Sequence, residues 1–215
     1  MTLRSEIVAQ ARALDAAGLN RGSSGNISAR DGDAMLITPS GVPAAALEPE
    51  MLALMPLDDD DGAWAGPLKP STEWRFHRDL LRARPAFGAV VHTHAPFCTI
   101  LAIARRPIPA IHYMMAAFGG PDIPVADYAC YGTAALSDAV VSSMQGRAGC
   151  LMANHGMIVG APTLTRACWL AGEMEAMAHQ YVHLLQIGGG HILSPADLAE
   201  ATQGFASYGI QPAKP

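Results

Sequence analysis

The sequence predicts an α/β protein, a layered α/β/α domain, and three observations carry that reading. Short apolar, β-branched runs such as Phe87–Val91 and Cys150–Met152 stop abruptly at polar residues, as buried strands do. Longer segments between them repeat apolar residues at helical spacing, with Gly or Pro at their ends. Half of the 215 residues are hydrophobic and only 15% are charged, enough apolar material for one sizeable core. No internal repeat or linker interrupts this pattern, so the chain reads as a single domain, residues 1–215.

Leu3, Ile7, Ala11 and Leu14 recur on one helical face, and Gly18 stands where a helix stop belongs. Arg21–Asn26 is too rich in Gly and Ser for a helix and reads as a loop. Ile27–Arg30 and Ala34–Thr38 predict a hairpin around Asp31-Gly32-Asp33, closed by Pro39-Ser40-Gly41. Leu47–Leu57 is apolar with a Pro break, and the acidic run Asp58–Asp61 reads as a solvated turn; it lacks the closing Glu of a calcium loop. A helix is expected from Ser71 to just before Pro85, with Ser71 and Thr72 capping it, then the Phe87–Val91 strand. Pro96 suits the first turn of a helix running to Arg105. Ile108–Tyr113 reads as a short strand, and Thr133–Met144 as a helix ending at Gly146. Cys150–Ala153 and Met157–Val159 read as strands flanking Asn154-His155-Gly156, followed by a long helix over Thr163–Ile187 and a last one over Leu198–Tyr208.

Composition excludes several function classes. A net charge of −5 argues against a nucleic-acid footprint. Cys98, Cys130, Cys150 and Cys168 show no CxxC spacing and read as buried free thiols in a reducing compartment. Arg4 and Glu6 interrupt any signal-like run, and no stretch of about 18 apolar residues suggests a membrane span. The reading is a soluble cytoplasmic protein. Dinucleotide and Walker fingerprints are absent. His179 and His183 have the spacing of a metalloprotease pair, but position 180 is Gln where that motif needs a Glu base, so a solvated or interface helix face is expected.

Chemistry concentrates between Pro70 and Pro96 and again at His155. His92 and His94 stand two apart at the end of a strand, so both aim to one side, as imidazoles that share a divalent metal must. His155 follows another apolar run in the same way. Three imidazoles with one carboxylate make a four-coordinate site, or three ligands and an exchangeable position. Two loops of small residues, each beside a strand, suit a phosphate cradle of backbone N–H groups.

Six motifs occur here in a fixed order: Gly25-Asn26-Ile27-Ser28, Ile37-Thr38-Pro39-Ser40-Gly41, Pro70-Ser71-Thr72-Glu73-Trp74-Arg75-Phe76-His77, Val91-His92-Thr93-His94, Ile108-Pro109-Ala110-Ile111-His112-Tyr113 and Asn154-His155-Gly156. In this the chain resembles the class II sugar-phosphate aldolases of the L-fuculose-1-phosphate aldolase type, from about Leu19 to Tyr208. The resemblance implies a three-layer α/β/α sandwich with a mostly antiparallel central sheet. It implies a divalent cation, Zn²⁺ with Mn²⁺ or Co²⁺ as alternatives, one per chain, on His92, His94 and His155, with Glu73 as a further ligand. Gly25, Asn26, Ser40, Gly41, Ser71 and Thr72 would hold a substrate phosphate.

The implied activity is cleavage of a ketose 1-phosphate to dihydroxyacetone phosphate and an aldehyde through a metal-stabilised enediolate. Glu73 would serve as acid/base and Tyr113 as proton donor to the aldehyde oxygen, the tyrosine arriving from a neighbouring subunit of a homotetramer. Tyr131 and Tyr208 fall near the implied aldehyde pocket. Ser71-Thr72 replaces a serine pair, and Tyr131 stands where the fuculose enzyme carries Phe, so the identity of the aldehyde stays open. Two rival readings are a same-fold pentulose-phosphate epimerase or sugar-acid phosphate decarboxylase, and a non-catalytic domain like the adducin head. The three histidines argue against the second.

Overall fold

The computed structural model describes residues 1–205; Tyr208 lies outside the described residues. Helix α1 (Leu3–Ala16) buries Ile7, Val8, Ala11 and Leu14, and Thr2 caps it by accepting from the Ser5 N–H. The hairpin β1 (Asn26–Asp31) and β2 (Ala34–Ile37) closes through Gly32 and Asp33, with Asp31 opposite Ala34 and Gly32 at φ +60°. The run after it forms two single 3₁₀ turns and strand β3 (Ala53–Pro56). Helix α2 (Trp74–Ala83), strand β4 (Ala89–Thr93) and helix α3 (Pro96–Ile103) follow. Then come the two-residue strands β5 (Ile108–Pro109), β6 (Asp122–Ile123) and β7 (Val125–Ala126), and helix α4 (Ala134–Ser143). Strands β8 (Gly149–Met152) and β9 (Gly156–Ala161) precede α5 (Leu164–Gln186) and α6 (Pro195–Phe205).

Seven strands form one sheet in the order β3-β2-β1-β4-β9-β8-β7, and β5 and β6 pair separately. Every pair in the large sheet is antiparallel except β7 with β8, which is parallel, so the sheet is mixed but mostly antiparallel. Alternation along the strands divides the core. Ile27, Ala29, Val91 and Val159 join the apolar faces of α1, α3 and α5. Ile37, Val90, Met152 and Ile158 join Phe76, Leu80 and Leu81 of α2 and Leu136 and Val140 of α4.

Three expectations need correction. The strand expected over Ile108–Tyr113 spans only Ile108–Pro109, and Tyr113 opens a 3₁₀ segment, Tyr113–Phe118. The His112 ring accepts from the Met114 N–H, a local bond that starts the turn and ends the extended chain. Helix α2 begins at Trp74 rather than Ser71, because the Ser71 hydroxyl accepts from the Glu73 N–H instead of from the first helical turn. Of the four free thiols, Cys130 is exposed while the other three are buried. The Asp58–Asp61 run is the solvated turn expected, held in shape where the Asp59 carboxylate accepts from the backbone of Asp61, Gly62 and Ala63 and Asp60 pairs with Arg78 and Arg82. His179 and His183 are exposed; the His179 ring stacks on Phe97 and meets the His183 ring edge-on.

Candidate metal centre and active site

Antiparallel register assembles the site at one end of the three central strands. Asn26 of β1 lies directly opposite His92 of β4, and Thr93 lies opposite Met157 of β9. His94 sits just past β4, and His155 occupies the tight β8–β9 turn, which Asn154 makes at φ +55°. The turn brings the chain so close that a Cβ at Gly156 would stand 2.5 Å from the Thr93 carbonyl oxygen and 3.1 Å from the His94 ring. Glycine at 156 is therefore a condition of the histidines' approach.

The ligating nitrogens of His92, His94 and His155 lie within 4.8 Å of one another. His92 and His94 bring their Nε2 atoms to 3.0 Å. The other His92 nitrogen, Nδ1, lies 2.8 Å from the Met157 carbonyl oxygen and donates to it, which leaves the Nε2 lone pair facing the cluster. Glu73, at the start of α2, completes the group, with Oε1 3.0 Å from His155 Nε2 and Oε2 3.4 Å from His92 Nε2. Among the described residues, the buried Oε1 has no polar partner beyond this approach to His155 Nε2. Three convergent imidazoles and an orphaned carboxylate oxygen are a donor set that fits a divalent cation.

Burial pushes His92 down to about 4, so this ring is neutral at pH 7 and its lone pair is available. Burial and the neighbouring His155 lower His94 as well. Burial pushes the Glu73 carboxyl up, but His92, His155 and the Asn26 amide outweigh it and hold the group ionised, below the usual carboxylate range.

A cleft of about 340 Å³ opens over this centre, lined by Thr72, Glu73, His94, Tyr128, Tyr131 and Asn154 among others. Tyr128 and Tyr131 are both mostly exposed at its rim. On the other side of Glu73, the Asn26 amide donates to Glu73 Oε2 at 2.8 Å and to Ser71 Oγ at 2.9 Å. Gly25 and Asn26 line a second hollow with Asn20, Ser24, Thr38 and Pro39. Ser40 and Gly41 lie exposed beside it, and the Ser40 N–H is engaged by the Lys69 carbonyl.

The structure thus brings Glu73, His92, His94, His155, Asn26, Ser71, Thr72 and Tyr131 together. It does not bring Tyr113, which is half-exposed and faces Asp197, Glu200 and Phe205 of α6 instead of the cleft. Three contributors escaped sequence reasoning. The Asn20 side chain accepts from the His94 N–H at 3.3 Å. Glu175 of α5 accepts from the Phe97 and Cys98 N–H groups, both at 2.9 Å, and so caps α3 immediately after His94. His77 is bonded to both Ser28 and Asn26. Only His77 carried a signal, since it stands four residues after Glu73 and so on the same helical face.

The profile of the family described as Class II Aldolase and Adducin N-terminal domain matches residues 5–182. The chain belongs to the class II aldolase family. It is 49% identical over 209 residues to the 5-methylthioribulose-1-phosphate/5-deoxyribulose-1-phosphate aldolase of Rhodospirillum rubrum, covering 97% of this chain and 93% of that protein. It is 42% identical over 195 residues to the L-fuculose phosphate aldolase of Escherichia coli strain K12, covering 90% and 89%. Among solved structures, an L-fuculose 1-phosphate aldolase superposes with a TM-score of 0.90 at 32% identity, covering 95% of this chain and 96% of that one.

Proposed function

We propose that this class II aldolase family protein is a metal-dependent lyase that cleaves a ketose 1-phosphate to dihydroxyacetone phosphate and an aldehyde. The observation that carries the reading is the orphaned Glu73 oxygen beside three convergent imidazoles at the floor of a cleft. His92, His94 and His155 would hold the cation, and the imidazole set favours Zn²⁺. A cation held there would supply Lewis acidity to substrate oxygens that gain negative charge.

The chain's own residues do the rest. Glu73 takes the proton from the hydroxyl whose oxygen becomes the aldehyde and returns it to the enediolate carbon, which gives dihydroxyacetone phosphate; its ionised state at neutral pH suits it to the first of these tasks. Gly25, Asn26, Ser71 and Thr72, with the Ser40-Gly41 turn, would bind the phosphate on the side of Glu73 where the second hollow opens. Tyr131 and Tyr128 flank the outer end, where the aldehyde portion would lie. The relative from Rhodospirillum rubrum points to 5-deoxy- and 5-methylthio-pentulose 1-phosphates as the substrates, ahead of fuculose 1-phosphate. Two aromatic rims suit a methyl or thioether group better than a further hydroxyl.

A panel of these three phosphates, assayed for release of dihydroxyacetone phosphate, tests the reading. Release from the 5-deoxy or 5-methylthio compounds with full metal loading is expected. Loss of metal from a folded His94→Ala variant, read by elemental analysis, is expected as well. Conversion to an epimeric sugar phosphate without carbon–carbon cleavage would replace this reading with the epimerase one.

A further inference from the structure

One buried polar group near the centre has both ring nitrogens bonded and is not used by the chemistry above. His77 of α2 is fully buried, and so is Ser28 of β1. Asn26 and Ser28 stand on the same face of β1, two residues apart, and α2 packs on that face, so the His77 ring drops between their side chains. Its Nδ1 lies 2.8 Å from Ser28 Oγ, and its Nε2 lies 2.5 Å from Asn26 Oδ1. The far end of the Asn26 amide reaches Glu73 Oε2 at 2.8 Å and Ser71 Oγ at 2.9 Å.

The direction of every bond in this chain follows from its last member. An ionised carboxylate only accepts, so the Asn26 NH₂ must face Glu73 and its oxygen must face His77. His77 must then donate from Nε2, which leaves Nδ1 to accept from the Ser28 hydroxyl. Burial holds the ring neutral, down to about 3, so it has one proton to place. An Asn26 amide turned the other way would set its oxygen against the Glu73 carboxylate and its NH₂ against the His77 N–H. Neither clash can be relieved by water in so buried a place.

We propose that His77 is a positioning residue that fixes the orientation of the Asn26 carboxamide, and through it holds the Glu73 carboxylate and the Ser71 hydroxyl in register. One amide then ties the proton-transfer group to the phosphate loop, and His77 supplies the donor that the amide oxygen needs in the direction Glu73 sets, so the amide is held from both ends. The catalytic half of this rests on the role given above to Glu73; the orientation itself does not.

The test has an arm for each half. Nitrogen-15 spectra of the wild-type chain should show His77 as the Nε2–H tautomer from pH 5 to pH 8, with a protected Asn26 NH₂ pair. His77→Phe keeps the ring shape and removes both polar atoms, so the Asn26 pair should move toward solvent-like shifts and exchange. His77→Gln, whose amide N–H reaches where the imidazole N–H does, should restore it. A Nδ1–H tautomer, or Asn26 resonances unchanged in His77→Phe, would overturn the proposal whatever reaction the protein catalyses.

In the aldolase assay, His77→Phe should lower kcat/KM by about 10- to 100-fold at full metal content, in the range of other outer-shell supports. His77→Gln should recover to within a few-fold of the parent. In an Asn26→Ala background, His77→Phe should have no further effect, since its only lever is gone. Full additivity of the two substitutions would show that His77 acts on packing alone. The predicted tautomer in a chain that releases no dihydroxyacetone phosphate would sink the aldolase reading and leave the orientation standing.

Discussion

Glu73 carries the proposed proton transfer because the other polar groups at the centre are committed. The three imidazoles face one point, and the Asn26 amide only donates to the carboxylate. Glu73→Gln keeps the shape and removes the basicity. Turnover should fall by about 10²- to 10⁴-fold, roughly 3–5 kcal/mol in the barrier, while an enediolate mimic still binds. A variant within a few-fold of the parent in a steady-state assay would assign the proton transfer elsewhere. His77 makes a second statement at this scale, about stability. Its pKa is about 3 when folded against an ordinary 6.5, with burial as the main cause. Above pH 6.5 neither state takes the proton and His77 is neutral to stability. As pH falls below 6.5 the unfolded chain binds a proton that the folded chain refuses, so stability drops by about 1.4 kcal/mol per pH unit from this residue. Urea unfolding at a series of pH values should show that slope shrink in His77→Gln.

At the scale of elements, the β8–β9 turn and the end of β4 act as one unit. Gly156 allows the turn to press against the Thr93 carbonyl, and the Asn154 backbone donates to the Ala102 carbonyl at the end of α3. Gly156→Ala would place a carbon 2.5 Å from that carbonyl oxygen, so strand β9 or the turn must move. Overpacking of this kind costs about 1–3 kcal/mol. Because His155 rides on the moving turn, metal affinity should fall along with the melting temperature. Isothermal titration of the metal-free variant with Zn²⁺ checks this, and wild-type affinity at lowered stability would separate the turn from the site.

At the scale of the whole molecule, Tyr113 stands apart from the metal cleft. It is 49% exposed and lines a groove with α6, not the metal cleft, so within one chain it serves no substrate in that cleft. As the hydrogen-bond partner of the aldehyde oxygen that the family resemblance implies, it must serve the cleft of a second copy. Exposed Ile100 and Ile103 on α3 leave apolar surface for such an association. Tyr113→Phe should cut turnover by about 10²-fold or more without changing metal content. Mixing inactive Tyr113→Phe and Glu73→Gln chains should restore part of the activity, because a hybrid assembly contains sites with both groups intact. Sedimentation showing a fully active monomer would remove the shared site.

Features that depend on near neighbours along the chain were legible before folding. Helix α5 was legible from Thr163 to Ile187, because the period of its apolar face and its capping Thr163 are local features. So were the Gly32-Asp33 hairpin and the three histidines, each placed where a strand runs out. Tertiary structure decided the pairings. Strand β7 runs parallel to β8, and nothing in a two-residue strand announces its partner. Glu175 caps α3 from 77 residues away, and Asn26 finds Glu73 across 47. Periodicity reports which face of an element is apolar, and therefore that it will be covered. It carries no record of which polar group will lie opposite once it is, and a buried donor or acceptor takes the partner that folding brings to it.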